Sequence, residues 1–357
     1  MAIGLDIGSS AVRAAELERR RGSAPRLIRY GEVPLPPGAV VDGDVVEPEV
    51  VAEAVRQLWG ITGIKGRGVA VGLASQRVTV RQIDLPDLPD DELAAAVRMQ
   101  GQDQLPMPVD EALLDFIVVS RYPVGDDRRN IRVLLVAAER EMVERLLGAV
   151  TAAKLRPVVV DLDAFALLRS LATAGVPGEN TDASPPTEVV VDIGAMLTKF
   201  AVHRGGHPLF VRMTRFGGAG STQELQHVLD LTWEQAEKAK LDASGGMAAG
   251  AQLDSDDERV RVLQRGVQKA ITEVRHSLDF FRSQHDDMEV QRVLLSGGAS
   301  LAPDLADQLE TSLDLPVAQG DPLRAVDATR RRGAPKNAGE ETPFLAVPVG
   351  LALGLLR

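Results

Sequence analysis

The same short turn, Asp-Ile-Gly, occurs twice in this chain and constrains its fold more than any other feature. It is found in GLDIGSSAVR at residues 4–13 and in VVVDIGAMLT at residues 189–198, each time after an apolar run and before a further strand-like run. The two aspartates, Asp6 and Asp192, are 186 positions apart, a spacing far longer than a solenoid repeat. The sequence therefore predicts two related α/β units, each beginning with strands around such a turn.

Composition and charge exclude several kinds of function. The chain has 357 residues, a formal net charge of −11 and no cysteine. Nucleic-acid binding usually requires a basic face, and without cysteine there are no disulfides, thiol nucleophiles or cysteine-based zinc sites. The five histidines show no ligand spacing, no stretch approaches the roughly 20 apolar residues of a membrane span, and the N-terminus lacks a signal-peptide layout. We therefore expect a cytoplasmic protein that binds no nucleic acid.

Hydrophobic periodicity predicts a similar order of elements after each turn. Alternating apolar residues predict three strands within residues 2–35 and three more within residues 188–216. Helices outside the insertion described next are predicted at residues 48–63, 158–175 (after a short strand), 221–242, 261–284 and 302–313, with a last helix near the C-terminus. Turn-rich or charged segments predict loops at residues 176–188, 244–258 and 328–343.

A block with a different sequence pattern interrupts the first unit. Residues 88–105 begin with acidic residues, which the first turn of a helix favours. Two strands joined by the charged turn GDDRRN follow, and then an amphipathic helix at residues 139–155. Together with the strand before it, this block predicts a small α+β insertion.

An Asp-x-Gly-Ser sequence at a hairpin tip suits phosphate binding. Glycine allows a positive φ and close approach of a ligand, and successive backbone N–H groups can form an anion-binding nest. An aspartate at the strand end can hold a hydrated Mg²⁺ that bridges to the phosphates. Because the turn occurs at the start of both predicted units, two such tips facing each other would bind a polyphosphate from both sides.

A double glycine supplies a third candidate element. The segment VLLSGGASLAPDLADQLE is an apolar strand, a Gly-Gly turn and a helix. Gly297 and Gly298 would let a flat ring lie close to the backbone. A plain strand-to-helix turn is the alternative interpretation, and the paired Asp-Ile-Gly turns favour the binding one.

These motifs resemble those of the actin/hexokinase/Hsp70 ATPase superfamily. GLDIGSSAVR is similar to its first phosphate motif, VVVDIGAMLT to the second and LLSGGAS to the adenosine motif, while VVVDLDAFALL and FLAVPVGLALG resemble the two connecting helices. Within the superfamily, the insertion with its LPMPVDEALLDF stretch is similar to that of the type IV pilus assembly protein PilM family, and more distantly to the cell-division protein FtsA. The resemblance extends over essentially the whole chain.

The resemblance implies a duplicated actin-like (ribonuclease H-like) two-domain α/β ATPase fold with a small α+β insertion subdomain. The implied divisions are subdomain 1A at residues 1–82 and 157–187, insertion subdomain 1C at 83–156, subdomain 2A at 188–220 and 291–321, helical subdomain 2B at 221–290, and a C-terminal loop and helix at 322–357 that close 1A.

The resemblance also implies ATP and Mg²⁺ as cofactors and assigns site residues. Asp6 and Asp192 would hold Mg²⁺ through water. Residues implied to bind the nucleotide are Gly8, Ser9, Ser10, Arg13, Gly194, Glu237, Lys240, Gly297 and Gly298. For Arg13 a solvent-facing strand position is the alternative, and for Glu237 and Lys240 a surface i,i+3 ion pair. Asp163 would orient the attacking water, with Asp161 as the competing candidate unless it caps the following helix.

One departure from the family pattern concerns turnover. After the second Asp-Ile-Gly-Ala, PilM relatives usually have small hydroxyl residues, whereas this chain has Met196 and Leu197. Apolar side chains donate no hydrogen bond to a γ-phosphate, and each lost charge-assisted bond is worth roughly 1.5–3 kcal/mol. We therefore expect an ATP-binding protein with slow or no hydrolysis.

The implied function is that of a cytoplasmic adaptor. By resemblance, the cleft between the first subdomain and the insertion receives the N-terminal cytoplasmic tail of a PilN-like inner-membrane protein, and the complex links that protein to the pilus motor ATPases. Membrane contact would then occur only through partners. Apolar positions at residues 69–83 could line this cleft, although a core role is favoured.

Two other functions remain open. A small-molecule kinase would need a catalytic base, for which the candidates are Asp84, Asp87, Asp90 and Asp91. An FtsA-like filament protein would need a membrane-binding helix, but FLAVPVGLALGLLR has no basic face.

Overall fold

The fold consists of two halves whose central sheets have the same strand order. The computed structural model describes residues 1–19, 22–125, 128–172, 185–248, 256–285, 288–328 and 342–356. The strands are β1 (Ala2–Ile7), β2 (Ala11–Glu18), β3 (Arg26–Pro34), β4 (Val40–Val41), β5 (Asp44–Val45), β6 (Gly68–Leu73), β7 (Val78–Pro86), β8 (Ala112–Val124), β9 (Arg128–Glu139), β10 (Arg156–Leu162), β11 (Thr187–Ile193), β12 (Thr198–Arg204), β13 (His207–Thr214), β14 (Arg292–Ser296) and β15 (Val317–Gln319). The helices are α1 (Pro48–Thr62), α2 (Asp90–Gly101), α3 (Arg140–Ala152), α4 (Asp163–Leu171), α5 (Ala219–Leu229), α6 (Trp233–Ala248), α7 (Glu258–Gln284), α8 (Leu305–Leu313) and α9 (Ala346–Gly354).

The duplication predicted from the paired turns is confirmed by the sheet topology. The first sheet has the order β3-β2-β1-β6-β10 and the second the order β13-β12-β11-β14-β15. In both, the first three strands are antiparallel and the last two join in parallel. Each Asp-Ile-Gly turn therefore lies at the carboxyl end of a central strand, next to a parallel neighbour.

Local sequence explains where α1 begins and ends. Pro48 occupies the first turn of α1, where its missing N–H is not needed. Gly63 follows the helix in the left-handed conformation (φ 66°), and its N–H donates to the Trp59 carbonyl. The buried face of α1 (Val51, Val55 and Leu58) packs with α3 against the first sheet.

Helices α4 and α9 are the connecting helices expected from the sequence. They pack against each other and cover the other face of the first sheet, and α4 also contacts the second sheet. Ser170 Oγ donates to the Ala346 carbonyl at 2.8 Å, and Arg169 Nε donates to the Gly350 carbonyl at 2.9 Å. The halves are thus joined by a helix that is buried between them.

The insertion has the predicted order of strand, helix, strand, strand and helix. Its sheet has the order β7-β9-β8 and packs against α2, with Ile83 and Leu135 of the sheet and Leu93 of α2 buried in their shared core. We expected the insertion to begin at residue 83. Strand β7 begins earlier, at Val78, and pairs with β9 along its whole length, so residues 78–82 belong to the sheet of the insertion. Arg145 joins the insertion to the first half through Asp44, with an Nη2–Oδ2 distance of 2.6 Å.

One expectation for the second half differs from the structure. Residues 244–248 continue α6 instead of forming a loop; residues 249–255 lie outside the described ranges. The C-terminal part of α7 packs on the second sheet, where Val274, Leu278 and Phe281 are buried in its core. The predicted loops at 176–188 and 328–343 lie mostly outside the described residues.

No helix in the part of the chain that the structure describes combines the length and the apolar composition needed to cross a membrane.

Candidate functional site

The first Asp-Ile-Gly turn is the tip of the β1–β2 hairpin. The strand register places Asp6 directly opposite Arg13, and the Gly8 N–H donates to the Ala11 carbonyl at 3.0 Å. Gly8 has no positive φ, so our expectation of a left-handed turn is wrong here. A Cβ at this position would lie 3.3 Å from the Ala11 carbonyl oxygen, so close approach favours glycine instead. The hydroxyls at this tip belong to Ser9 and Ser10.

The second turn is the tip of the β11–β12 hairpin and repeats this geometry. Asp192 lies opposite Lys199, and the Gly194 N–H donates to the Leu197 carbonyl at 2.9 Å. Gly194 also lacks a positive φ, and a Cβ there would lie 2.9 Å from the Leu197 carbonyl oxygen. The Gly194 carbonyl accepts from the Gly218 N–H at 3.0 Å, which fixes the turn against the start of α5.

A buried lysine that our sequence analysis missed lies between the two halves. Lys199 Nζ donates to Asp192 Oδ2 at 2.8 Å and lies 3.2 Å from Asp163 Oδ2 at the start of α4. Its side chain is only 11 % exposed. The signal was present in the sequence, because Lys199 follows Asp192 by seven positions just as Arg13 follows Asp6. We call Asp6, Asp163, Asp192 and Lys199 the lysine cluster.

The members of the lysine cluster shift one another's pKa. Burial raises the pKa of Asp163 to about 7, against the opposing effect of Lys199. Burial also raises the pKa of Asp6, although Arg13 and Lys199 oppose it. Burial alone would lower the pKa of Lys199, but Asp192, Asp163 and Asp6 more than offset this and hold that pKa above its usual value. Lys199 is therefore charged at neutral pH, where Asp163 is partly protonated.

The lysine cluster does not fit the Mg²⁺ that we expected Asp6 and Asp192 to hold. The waters of a hydrated Mg²⁺ would have to donate to these carboxylates, whereas Oδ2 of both Asp163 and Asp192 already faces the Lys199 ammonium. A unit positive charge about 4 Å from that ammonium would be repelled by about 4 kcal/mol at an effective dielectric constant of about 20, and Mg²⁺ carries two. Within the described ranges, no three Asp, Glu or His side chains are grouped as metal ligands.

Arg13 is partly enclosed and does not face solvent as a surface strand residue would. Its side chain is 14 % exposed, and its Nη1 lies 3.6 Å from Asp6 Oδ2. Its Nε donates to Glu32, and the guanidinium lies 5.1 Å from the ring centroid of Phe344, within cation–π range. The group expected to contact phosphate is therefore already surrounded by two carboxylates and a ring.

The double-glycine turn allows close approach, but by groups of the chain itself. Gly297 has a φ of 82°, and a Cβ there would lie 2.7 Å from the Ile193 carbonyl carbon. A Cβ on Gly298 would lie 2.7 Å from Cε1 of Phe344. The ring of Phe344 therefore lies beside Gly298, and its segment is fixed by a hydrogen bond from Ser296 Oγ to the Pro343 carbonyl.

Glu237 and Lys240 form an ion pair that packs against the turn before α5. Lys240 Nζ lies 2.7 Å from Glu237 Oε2 and donates to Thr222 Oγ1 at 2.9 Å. Lys240 is 16 % exposed and also donates to the Gly218 carbonyl at 3.4 Å. A Cβ on Gly218 would lie 3.1 Å from Cβ of Ala299, just after the double glycine. The pair therefore lies next to the Gly297–Gly298 turn of the predicted adenosine motif, and it is partly enclosed instead of lying on an open surface.

The two apolar residues after the second turn differ in position. Leu197 is buried, whereas Met196 is half-buried and adjoins a cavity of about 230 Å³ between the halves. Residues lining this cavity include Asp42, Met196, Arg215, Phe216, Ser221 and Lys269. A larger cavity of about 610 Å³ between α7 and the start of α8 is lined by none of the predicted site residues.

Asp163 and Asp161 have different environments. Asp163 is the first residue of α4, and its Oδ1 is buried beside Gly72 without a hydrogen-bond partner. Asp161 lies in β10 and accepts from Arg169 Nη2. The prediction that Asp161 caps the helix is wrong, since Leu162 is the N-cap residue and makes no side-chain cap.

We expect Asp163 to make the protein less stable as the pH rises. Its pKa is about 7 in the folded chain and about 3.8 unfolded, so the folded state binds more protons between these values. Its contribution should fall by roughly 2–3 kcal/mol from pH 5 to pH 8. His203 opposes this slope, since burial lowers its pKa to about 4, so the test is the difference between wild type and Asp163→Asn in denaturant unfolding. Parallel pH profiles of the two proteins would contradict the assignment.

The comparisons with known proteins identify the family of this chain. A family model described as "Type IV pilus assembly protein PilM" matches residues 4–355. The structure of a PilM–PilN type IV pilus biogenesis complex is similar with a TM-score of 0.83 and 28 % sequence identity, covering 100 % of this chain and 98 % of that one.

More distant structures show the fold alone. The ethanolamine utilization protein EutJ from Carboxydothermus hydrogenoformans has a TM-score of 0.54 and 16 % identity, over 99 % of this chain and 89 % of that one. MreB5 of Spiroplasma citri bound to AMPPNP has a TM-score of 0.52 and 12 % identity, over 99 % and 95 %. With its duplicated actin-like α/β fold and a family match over nearly its whole length, this chain belongs to the type IV pilus assembly protein PilM family.

Proposed function

We propose that this chain is a nucleotide-binding adaptor of the type IV pilus assembly platform, on the cytoplasmic face of the inner membrane. It binds the N-terminal cytoplasmic tail of a PilN-like membrane protein and links that protein to the motor ATPases. The observation that carries the proposal is the similarity to PilM in the PilM–PilN complex, because it covers the whole chain and therefore includes the insertion.

Nucleotide binding is supported by the way the predicted motifs converge. Asp6 of the first tip is near enough to Lys199 and Asp192 of the second tip for their charges to affect its pKa, and the pair Glu237–Lys240 lies next to the turn that follows Gly297. MreB5, which has a similar fold, is bound to ADP in one structure and to AMPPNP in another. We therefore place ATP between the two hairpin tips, with its base toward Lys240 and the Gly218 turn that Lys240 contacts.

Several side chains oppose fast hydrolysis at this site. Asp163, the candidate for orienting water, has one carboxylate oxygen facing Lys199 and the other buried beside Gly72. Neither Met196 nor the buried Leu197 can donate a hydrogen bond to a γ-phosphate. We propose nucleotide binding with slow or no turnover, in which Asp163 has a structural role.

A kinase function has less support. The candidate base Asp84 accepts from Arg132 at 2.7 and 2.8 Å, and Asp87 accepts from Arg121 at 3.0 Å. The Arg132 hydrogen bonds lower the pKa of Asp84. Carboxylates held by arginines in this way are poor proton acceptors at neutral pH.

Direct membrane binding through the last helix also has less support. Val347, Val349 and Leu351 of α9 are buried against β1, β2 and α4. An apolar face that packs within the protein offers nothing to a membrane surface, so α9 does not act like the membrane helix of FtsA.

The first test of the adaptor function is a calorimetric titration with the synthetic cytoplasmic tail of the organism's PilN-like protein. We expect a dissociation constant in the micromolar range or tighter. The titration is repeated with Mg-ATP. A change in the affinity for the peptide would show that nucleotide binding regulates the interaction with the partner. The absence of binding in both conditions would contradict the adaptor function and would direct attention to a substrate screen for kinase activity.

Strand β10 offers a starting point for mapping the peptide. It is an edge strand of the first sheet that follows the last helix of the insertion, and it exposes Val158 (47 %) and Val159 (41 %). An extended peptide can pair with such an edge and cover its apolar side chains. We expect Val159→Glu to weaken peptide binding at least about tenfold, which corresponds to the loss of about 1.4 kcal/mol.

The matched control for this variant is Val228→Glu. Val228 is equally exposed (43 %) but lies on α5 in the second half. It should leave the affinity for the peptide unchanged. Equal effects of the two substitutions would exclude β10 as the binding edge while leaving the adaptor function in place.

A further inference from the structure

The ammonium group of Lys199 lies where the carboxylates of both halves come together. It contacts Asp192 Oδ2 at 2.8 Å and Asp163 Oδ2 at 3.2 Å, and it is near enough to Asp6 to affect the pKa of that residue. The next residue in the strand, Phe200, is buried in the core of the second half, and the β11–β12 register fixes the lysine opposite Asp192. The positive charge between these carboxylates is therefore supplied by a side chain that the fold holds in place.

The charges around this ammonium are partly balanced within the chain. Asp6, Asp163, Asp192 and Glu32 carry at most four negative charges, while Lys199 and Arg13 carry two positive ones. A lysine ammonium has three N–H donors. Two of them point toward the aspartates, which leaves one donor for an anion such as a phosphate oxygen.

We propose that the Lys199 ammonium takes the place of the divalent cation in this site, so that the chain binds nucleotide phosphates without Mg²⁺. The inference rests on the nucleotide binding proposed above. The waters of a Mg²⁺ ion would need the same Oδ2 atoms that face the ammonium, and the lysine cannot leave them without exposing three aspartates to one another. The residue therefore determines the cofactor requirement of the site.

Metal binding without nucleotide gives the first test. Mn²⁺ binding to the full chain is followed by electron paramagnetic resonance for wild type, Lys199→Ser and the control Lys238→Ser, which removes an exposed lysine that also pairs with an aspartate. We expect a new Mn²⁺ site in Lys199→Ser alone, and its loss when Asp192→Asn is added. A site in wild type that Asp192→Asn removes, or none in folded Lys199→Ser, would overturn the inference.

Nucleotide binding gives the second test. ATP is titrated calorimetrically into wild type and Lys199→Ser, each with millimolar Mg²⁺ and with EDTA. We expect the wild-type dissociation constant to be the same within about twofold in both buffers. In Lys199→Ser, removal of Mg²⁺ should weaken binding at least about tenfold.

The outcomes separate this inference from the proposed function. Wild type that binds ATP only with Mg²⁺ would overturn the inference and leave nucleotide binding intact. Wild type that binds no ATP in either buffer would overturn nucleotide binding, and with it the claim that phosphates bind without Mg²⁺; the Mn²⁺ data would then decide alone whether Lys199 occupies the cation position. If Lys199→Ser does not fold, the two wild-type measurements still decide the question.

Discussion

Gly350→Ala is expected to destabilise the protein by about 3 kcal/mol, at the upper end of what a single overpacked site costs. Gly350 lies in α9 where this helix crosses α4, and a Cβ there would overlap the carbonyl group of Ala166 and approach its Cα to 2.9 Å. These are backbone atoms, so no rotamer change can relieve the overlap. The two helices would have to move apart along the main connection between the halves.

This effect is measured by equilibrium unfolding in urea, with Gly148→Ala as the matched control. Gly148 is an exposed glycine inside α3, where a Cβ would meet nothing within 4 Å. The control should be neutral or stabilising by up to about 1 kcal/mol, because alanine favours helix more than glycine. If both variants lost similar stability, the close crossing of α4 and α9 would not be the cause.

Helix α9 also packs closely against the first sheet, at a second glycine. Gly4 in β1 lies under the same helix, and a Cβ there would lie 2.8 Å from the Ala352 N and from Cβ of Leu351. One glycine, Gly4, therefore faces α9 from the sheet, while α9 presents Gly350 to α4. The first turn, at Asp6, follows in the same strand, so the position of the phosphate-like motif depends on this packing.

Elements that depend on local patterns could be predicted from the sequence. Strand alternation predicted the three-stranded start of each half, and acidic residues predicted the start of α2. The repeated Asp-Ile-Gly turn predicted the duplication because a turn between strands is specified by a few adjacent residues. Short elements such as β4, β5 and β15 were not predicted, since two or three residues carry too little periodicity.

Features that depend on contacts between the halves could not be predicted in the same way. Met196 and Leu197 look alike in sequence, yet only Leu197 is buried. Phe344 lies 46 positions after Gly298 in sequence and fills the space beside it. Nothing local indicates such a contact, because it depends on how the C-terminal segment returns to the first half.

Lys199 is an intermediate case. Its spacing of seven from Asp192 repeats that of Arg13 from Asp6, so its position opposite an aspartate could have been inferred from the duplication. Its contact with Asp163 could not, because α4 belongs to the other half. The lysine that distinguishes this site from a Mg²⁺ site can therefore be found in the sequence. That it occupies the space between carboxylates of both halves can be seen only in the structure.

Lys199→Met should destabilise the protein by about 3–5 kcal/mol at pH 8, which is the typical cost of removing one partner from a buried ion pair. Methionine fills a similar volume, so the loss reports the charge and not a cavity. Asp163 and Asp192 are each 6 % exposed in their side chains and would be left facing each other and Asp6 without a cation between them.

The same variant should recover much of its stability at pH 5. Burial already raises the pKa of Asp163 to about 7 in the presence of the lysine, and without it the carboxyl holds its proton still more firmly. Protonation removes the repulsion, so the difference from wild type should shrink as the pH falls. Lys238→Met, at a lysine that is 75 % exposed, should change stability by less than about 0.5 kcal/mol at either pH. A loss in Lys199→Met that is equal at pH 5 and pH 8 would show that the lysine acts through packing and not by balancing the three carboxylates.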